Sequence, residues 1–201
     1  DEGDSPYSTK IPGVCGLRNI GNSCYFNSAL QCLMHCIEIV RYFLNTSGDN
    51  DWHNNINADN PIGAKGELVI SFANLVDDLW SGKYFVIKPI KLKESIDKFT
   101  NQFRGTQQQD AHELVTFLLD GIHEDLNSNK KFSDNRNLLS KSRNLTPNLN
   151  IPGINHDELV SANETWLNHC SKNNSFIVDM FQGLLRSQIV CPFCKDMTVV
   201  F

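Results

Sequence analysis

No long apolar run is present. The longest nearly apolar stretch, Gln182 to Pro192, is interrupted by Arg186, and it falls well short of the roughly 20 residues that a bilayer-spanning helix needs. No membrane partner is therefore expected, and the chain reads as soluble. Basic charge is not in excess either: 18 Lys and Arg stand against 23 Asp and Glu, giving a formal net charge of −5 and a pI near 5.6. Phosphate recognition needs a concentrated surplus of Lys and Arg, so no nucleic-acid partner is expected. The seven cysteines, Cys15, Cys24, Cys32, Cys36, Cys170, Cys191 and Cys194, are odd in number. They are too sparse for a disulfide-stapled secreted scaffold, and a reducing cytoplasmic or nuclear setting is the expectation. The opening DEGDSPYSTK has neither the basic start nor the apolar middle of a signal peptide, so residues 1–13 read as a flexible lead-in.

What is present is enough apolar content, 40% of 201 residues, to bury one core or part of a larger one. From Tyr25 to Leu44 the positions Phe26, Leu30, Leu33, Met34, Ile37 and Leu44 recur at spacings of three and four, which predicts one amphipathic helix capped by Asn22 or Ser23. Residues 45–60 are dominated by Asn and Asp and read as a loop. Gly66 to Trp80 predicts a second helix with Leu68, Phe72, Leu75, Val76 and Leu79 on one face, closed by Ser81 and Gly82. Pro89 opens a third, with Leu92, Ile96 and Phe99 inward. Gln108 to Asn127 gives a fourth, with Ala111, Leu114, Val115, Leu118 and Ile122 inward. Residues 128–156, rich in Asn, Ser and Lys and holding Pro147, Pro152 and Gly153, read as a disordered insertion. Helical spacing resumes over Leu159 to Cys170. Ser175 to Gln182, Leu184 to Val190 and Met197 to Phe201 carry the β-branched and aromatic content of strands.

Three places carry candidate chemistry. In Gly16-Leu17-Arg18-Asn19-Ile20-Gly21-Asn22-Ser23-Cys24 a glycine-containing loop hands over to a helix start. A thiolate at such a point is stabilised by the helix dipole and by unpaired amides, which makes Cys24 the candidate nucleophile. Asn19 could donate its side-chain amide to the oxyanion of a tetrahedral intermediate. The plain alternative is a buried cysteine beside a turn asparagine. Cys32 and Cys36 lie within the predicted helix and read as core filler. In the second place, Gly105 to Leu114, Asp110 and Glu113 stand three apart at a helix start, so both carboxylates share a face and complement the dipole; a capped helix with solvated acids is the bland reading. In the third, Cys191-Pro192-Phe193-Cys194 sits between two strand-like runs. Two thiolates at that spacing can grip one tetrahedral zinc ion, but two more ligands are needed. A redox pair is the competing reading, although such pairs open a helix near the beginning of a compact fold.

The run GLRNIGNSCYFNSALQCL resembles the cysteine box of the ubiquitin-specific proteases, and QQDAHE, WSGKYFVIKP and NSFIVDMFQGLLRSQIVCPFC resemble further segments of the same family. The likeness runs from Val14 through Phe201, with residues 128–156 as the poorly matching part. It implies an α+β, papain-like cysteine protease fold, with a mostly helical thumb and part of a β fingers and palm region over residues 14–201. It implies a thiol-dependent deubiquitinase acting after the C-terminal glycine of ubiquitin, with ubiquitin and ubiquitinated proteins as partners. Cys24 would be the nucleophile and Asn19 the oxyanion residue, while Asp110 and Glu113, with Gln109 beside them, would hold the arginine-bearing tail of ubiquitin. Cys191 and Cys194 would be half of a zinc site. The family's catalytic histidine comes from a box with no match in this chain, so the chain by itself is expected to be inactive. His112 lies at a variable position in the resembling segment, and His35, His53, His123, His156 and His169 read as surface or packing residues. A non-catalytic ubiquitin-binding module and a zinc or redox domain remain the alternatives.

Overall fold

The computed structural model describes residues 9–47, 51–127 and 154–201. Most of the expected lead-in and nearly all of the expected insertion therefore lie outside the described residues, although His156, the last residue of that insertion, already starts a helix. The chain divides into two units, the first ending at Leu126 and the second beginning at Asn127. Among the described residues no helix is long and apolar enough to cross a membrane.

The first unit is helical. It comprises β1 (Gly16–Leu17), α1 (Cys24–Leu33), α2 (Ile37–Leu44), a 3-10 turn (Trp52–Asn55), α3 (Glu67–Trp80), β2 (Val86–Ile87), α4 (Ile90–Phe99) and α5 (Ala111–Leu126). α3 packs against α2, α4 and α5, and α1 packs against α5. Their apolar stripes close over Phe26, Leu30, Leu68, Phe72, Val76, Leu92, Ile96, Leu114, Leu118 and Ile122, all buried. α3 and α5 come very close where Gly121 faces Leu68: a Cβ there would stand 2.4 Å from Leu68 Cδ2. The start of α3 is tied to α5 by charge. The buried carboxylate of Asp125 accepts from the backbone N–H groups of Ala64 at 2.6 Å, Gly66 at 3.1 Å and Val69 at 3.1 Å, supplying acceptors to amides that the helix start cannot pair internally.

Several expectations need correction. The predicted helix over residues 25–44 is two helices, because the Met34 carbonyl accepts from Trp80 Nε1 at 2.9 Å and the His35 ring reaches the carbonyls of Gln31 and Gly13 at 2.8 and 2.9 Å. Tertiary partners thus take the groups that would have continued the ladder. The break rotates the second half, so that Ile39, Val40 and Phe43 are buried while Ile37 and Leu44 are exposed. Cys32, exposed, and Cys36, at the start of α2, are not core filler. Phe99, expected inward, is exposed at the end of α4. The loop over residues 45–60 contains the 3-10 turn, anchored by buried Trp52, whose Nε1 donates to the Phe43 carbonyl at 3.1 Å. β1 and β2, which were not anticipated as strands, pair in parallel with Gly16 opposite Val86 and Leu17 opposite Ile87.

The second unit contains α6 (His156–Lys172), α7 (Phe176–Phe181), β3 (Ser187–Val190) and β4 (Met197–Val200). α7 falls where a strand was expected. Ser175 caps it, its Oγ accepting from Val178 N at 3.4 Å, and this local bond outweighs the β propensity of Phe176, Ile177 and Val178. β3 and β4 form the expected antiparallel hairpin, with Ser187 opposite Val200 and Val190 opposite Met197. Its turn is closed by Cys191 N donating to Asp196 O at 2.8 Å and Lys195 N to Cys191 O at 3.0 Å.

Candidate active site

Cys24 is the first residue of α1, directly after the N-cap Ser23, and it is exposed. The first bond of the helical ladder is Asn27 N to Ser23 O at 2.8 Å, so the amides of Cys24, Tyr25 and Phe26 precede it at the positive end of the helix. The sulfur is held at the surface because its neighbours are anchored inward. Tyr25 and Phe26 are buried, and Tyr25 stacks on Phe103 at 6.5 Å between ring centroids. Burial, and secondarily the charge of Asp97, pushes the Tyr25 phenol up from its ordinary range.

The loop before the helix is organised by Asn19. Its Oδ1 accepts from Gly21 N at 2.8 Å, Ser23 N at 3.2 Å and Ser23 Oγ at 3.1 Å, and Ser23 Oγ in turn accepts from Ile20 N at 2.9 Å. Two backbone donors fix which end of the amide faces the loop, so Nδ2 is the end not engaged by the loop, on an exposed residue. Asn19 is both the turn residue of the bland reading and a group able to offer an N–H near the helix start. Gly21 has φ +111°, and a Cβ on it would meet Thr106 Cγ2 at 3.0 Å, so only glycine suits this left-handed position. Asn22 Nδ2 donates to the Thr106 carbonyl at 3.0 Å, clipping the cysteine loop to the loop that leads into α5.

That second loop brings a residue that sequence reasoning missed. Gln108 Nε2 donates to Cys24 Sγ at 3.1 Å, and the Cys24 thiol lies 3.4 Å from Gln108 Oε1 as a donor. Gln108 stands next to Gln109 in the glutamine run, and only a contact 84 residues apart in sequence distinguishes the two. Gln109 is half-buried. Asp110 Oδ1 accepts from His112 N at 2.7 Å and Glu113 N at 3.4 Å, capping α5, and Glu113 Oε2 accepts from Gln102 Nε2 at 2.6 Å. Both carboxylates are exposed.

Among the described residues no imidazole bonds to Cys24. His35 spans two carbonyls and packs on Trp80 with 5.7 Å between ring centroids. His53 pairs with Asp51 at 2.5 Å, and His169 Nε2 meets Gln182 Oε1 at 2.7 Å. In the second unit, Cys191 and Cys194 lie in the turn between β3 and β4. The Cys191 thiol is drawn below its ordinary range by the backbone amides of Cys194 and Phe193 and then by the Cys194 thiol, an environment suited to a thiolate ligand. No group of three or more candidate metal ligands occurs among the described residues.

Comparison with known proteins bears on the fold and the family. The fold resembles that of the SAGA DUB module Ubp8/Sgf11/Sus1/Sgf73 bound to monoubiquitin, with a TM-score of 0.56 and 22% identity over 98% of this chain and 36% of that chain. A yeast SAGA DUBm structure gives a TM-score of 0.52 at 24% identity, over 98% of this chain and 35% of the other. The expected α+β, papain-like fold class is the one found. A family profile described as ubiquitin carboxyl-terminal hydrolase matches residues 15–200, and the chain belongs to that family. Among its relatives, ubiquitin carboxyl-terminal hydrolase 15 of Xenopus tropicalis is 41% identical over 191 residues, covering 94% of this chain and 18% of that protein. Ubiquitin carboxyl-terminal hydrolase 4 of Bos taurus is 42% identical over 199 residues, covering 98% and 19%. The chain thus spans under a fifth of the length of these curated relatives.

Proposed function

We propose that this chain carries the nucleophile of a cysteine-type deubiquitinase that hydrolyses isopeptide bonds after the C-terminal glycine of ubiquitin. The observation that carries the reading is the exposed Cys24 sulfur at the first position of α1, preceded by a loop in which the Asn19 amide oxygen is engaged by Gly21 and Ser23, leaving its N–H groups to serve as donors. Cys24 attacks the glycine carbonyl carbon as a thiolate and forms the S–C bond. Asn19 Nδ2 donates to the oxyanion, the C–N bond breaks as the amine takes a proton, and water then hydrolyses the thioester. The general base that accepts the thiol proton and returns it to the amine is a histidine contributed from beyond residues 1–201. This fits a chain covering so small a share of its relatives, and residues 1–201 alone should be inactive.

Ubiquitin and its conjugates are the proposed partners; the SAGA DUB module that the fold resembles is itself bound to monoubiquitin. Asp110 and Glu113 receive the arginines of the ubiquitin tail, with Gln109 alongside. Asp110 spends Oδ1 on the helix cap and keeps its other oxygen for a ligand. Cys191 and Cys194 supply two of four zinc ligands, favoured over a redox pair because they lie in a turn that leads into β4 rather than into a helix. All seven cysteines are unpaired thiols, in keeping with a cytoplasmic or nuclear setting.

The test is hydrolysis of a fluorogenic ubiquitin C-terminal amide by the full-length protein. Cys24→Ala should abolish turnover, and Asn19→Ala should lower kcat by about 10²-fold or more. Glu113→Ala should raise KM by about tenfold with kcat little changed. A wild-type protein that binds ubiquitin yet never hydrolyses the amide would instead be a binding module.

A further inference from the structure

The contact between Cys24 and Gln108 has no part in the scheme above. The Gln108 carboxamide lies along the sulfur with its nitrogen at 3.1 Å and its oxygen at 3.4 Å, so it can accept from the thiol and donate to the thiolate without leaving its place. Gln108 is exposed, so burial in the core does not hold its side chain in place. The loop carrying it is fixed independently, two residues earlier, by Asn22 Nδ2 bonding the Thr106 carbonyl at 3.0 Å and by the close approach of Gly21 to Thr106. Two residues later, Asp110 begins the cap of α5. One short segment therefore joins the nucleophile to the acids assigned to the ubiquitin tail.

We propose that Gln108 is a further residue of the catalytic machinery, whose side-chain amide holds the Cys24 sulfur in its attacking position and hydrogen-bonds the thiolate. This rests on the deubiquitinase reading for its purpose, but the contact itself does not. The Nε2 donor is the working part, since a thiolate accepts and cannot donate. Gln108→Glu keeps the length and removes the donor, and Gln108→Met keeps the length without either polar atom. Neither change should disturb an exposed position in the fold.

The experiment uses the full-length protein with two readouts. In hydrolysis of the ubiquitin amide, Gln108→Ala, Gln108→Met and Gln108→Glu should each lower kcat by about tenfold, equivalent to about 1.4 kcal/mol, with KM within twofold and Tm unchanged. In alkylation by iodoacetamide, with adducts on Cys24 counted by mass spectrometry, the same variants should react at least about threefold more slowly than wild type, as the thiolate loses a donor. The second readout holds even if the protein hydrolyses no ubiquitin substrate, so failure of the deubiquitinase reading and failure of this assignment are distinct results. Alkylation that is unchanged or faster in Gln108→Ala, full rescue of kcat by Gln108→Glu, or a rise in KM with kcat intact would each overturn the assignment. The last of these would make Gln108 a tail-binding residue.

Discussion

The two units are held together by different means. The unit ending at Leu126 buries a continuous set of large side chains, with Phe26, Phe72, Leu92, Leu114 and Leu118 each at most 1% exposed. In the unit beginning at Asn127, the 17-residue helix α6 contains no buried residue, and the β3–β4 hairpin leaves Ile189, Val190, Met197, Val200 and, at the tip, Phe193 exposed. The first is stabilised by apolar burial, while in the second the buried apolar side chains are few, Ile177 and Val178 of α7, and much of the ordering rests on the β3–β4 ladder and local caps. Cys24, the proposed nucleophile, sits on the well-packed unit, where a sulfur can be fixed to within the tolerance that chemistry needs. The thiol pair sits on the unit with little core of its own, where a bound metal would add most to stability.

Core truncations should separate the units most strongly. Phe72→Ala should cost about 3–5 kcal/mol in denaturant unfolding of the first unit, whereas Ile189→Ala on the open hairpin should cost under about 1 kcal/mol. Equal losses would remove the contrast. Next in size, Asp125→Ala should cost about 3 kcal/mol, because it strands the amides of Ala64, Gly66 and Val69 in a buried site.

Thiol reactivity sharpens the comparison further. Burial, and then the charge of Asp78, pushes the Cys15 thiol up, and burial, with Asp179 next, does the same for Cys170, while Cys191 is drawn down by its turn amides. In chelator-treated protein near pH 8, Cys191 should be alkylated well before Cys15 and Cys170, and added zinc should slow Cys191 if it is a ligand. The smallest effect concerns Asp51, whose carboxyl is held below its ordinary range first by the His53 side-chain hydrogen bond and then by the His53 backbone amide. A lowered folded pKa means stability present above the unfolded carboxylate pKa of about 3.9 and lost as pH falls through the folded value. Asp51→Asn should therefore lower stability slightly at neutral pH and flatten the acid limb of the profile, the difference from wild type vanishing below the folded pKa.

Periodicity was a good guide where a helix meets the core along its whole length. The face Leu68, Phe72, Leu75, Val76 and Leu79 of α3 is read directly from spacing and is buried throughout. It failed where a distant group decides the outcome. Nothing local to Met34 signals that Trp80 will take its carbonyl, and nothing in the glutamine run says which amide reaches Cys24. At α7 the error was one of weighting: Ser175 was a visible cap, but the β-rich run after it masked the signal. In the candidate site, Cys24, Asn19, Asp110 and Glu113 were legible as residue types at loop-to-helix junctions. Gln108 and the Asn22 clip to Thr106 were not, because both are long-range contacts.

For the proposed chemistry to hold, Cys24 must be a reachable nucleophile at the start of α1. Treating the full-length protein with ubiquitin bearing a thiol-reactive C-terminus, then mapping the adduct by peptide mass spectrometry, tests this directly. A single adduct on Cys24, lost in Cys24→Ala, is the predicted result. An adduct on any other cysteine, or labelling that survives Cys24→Ala, would contradict it.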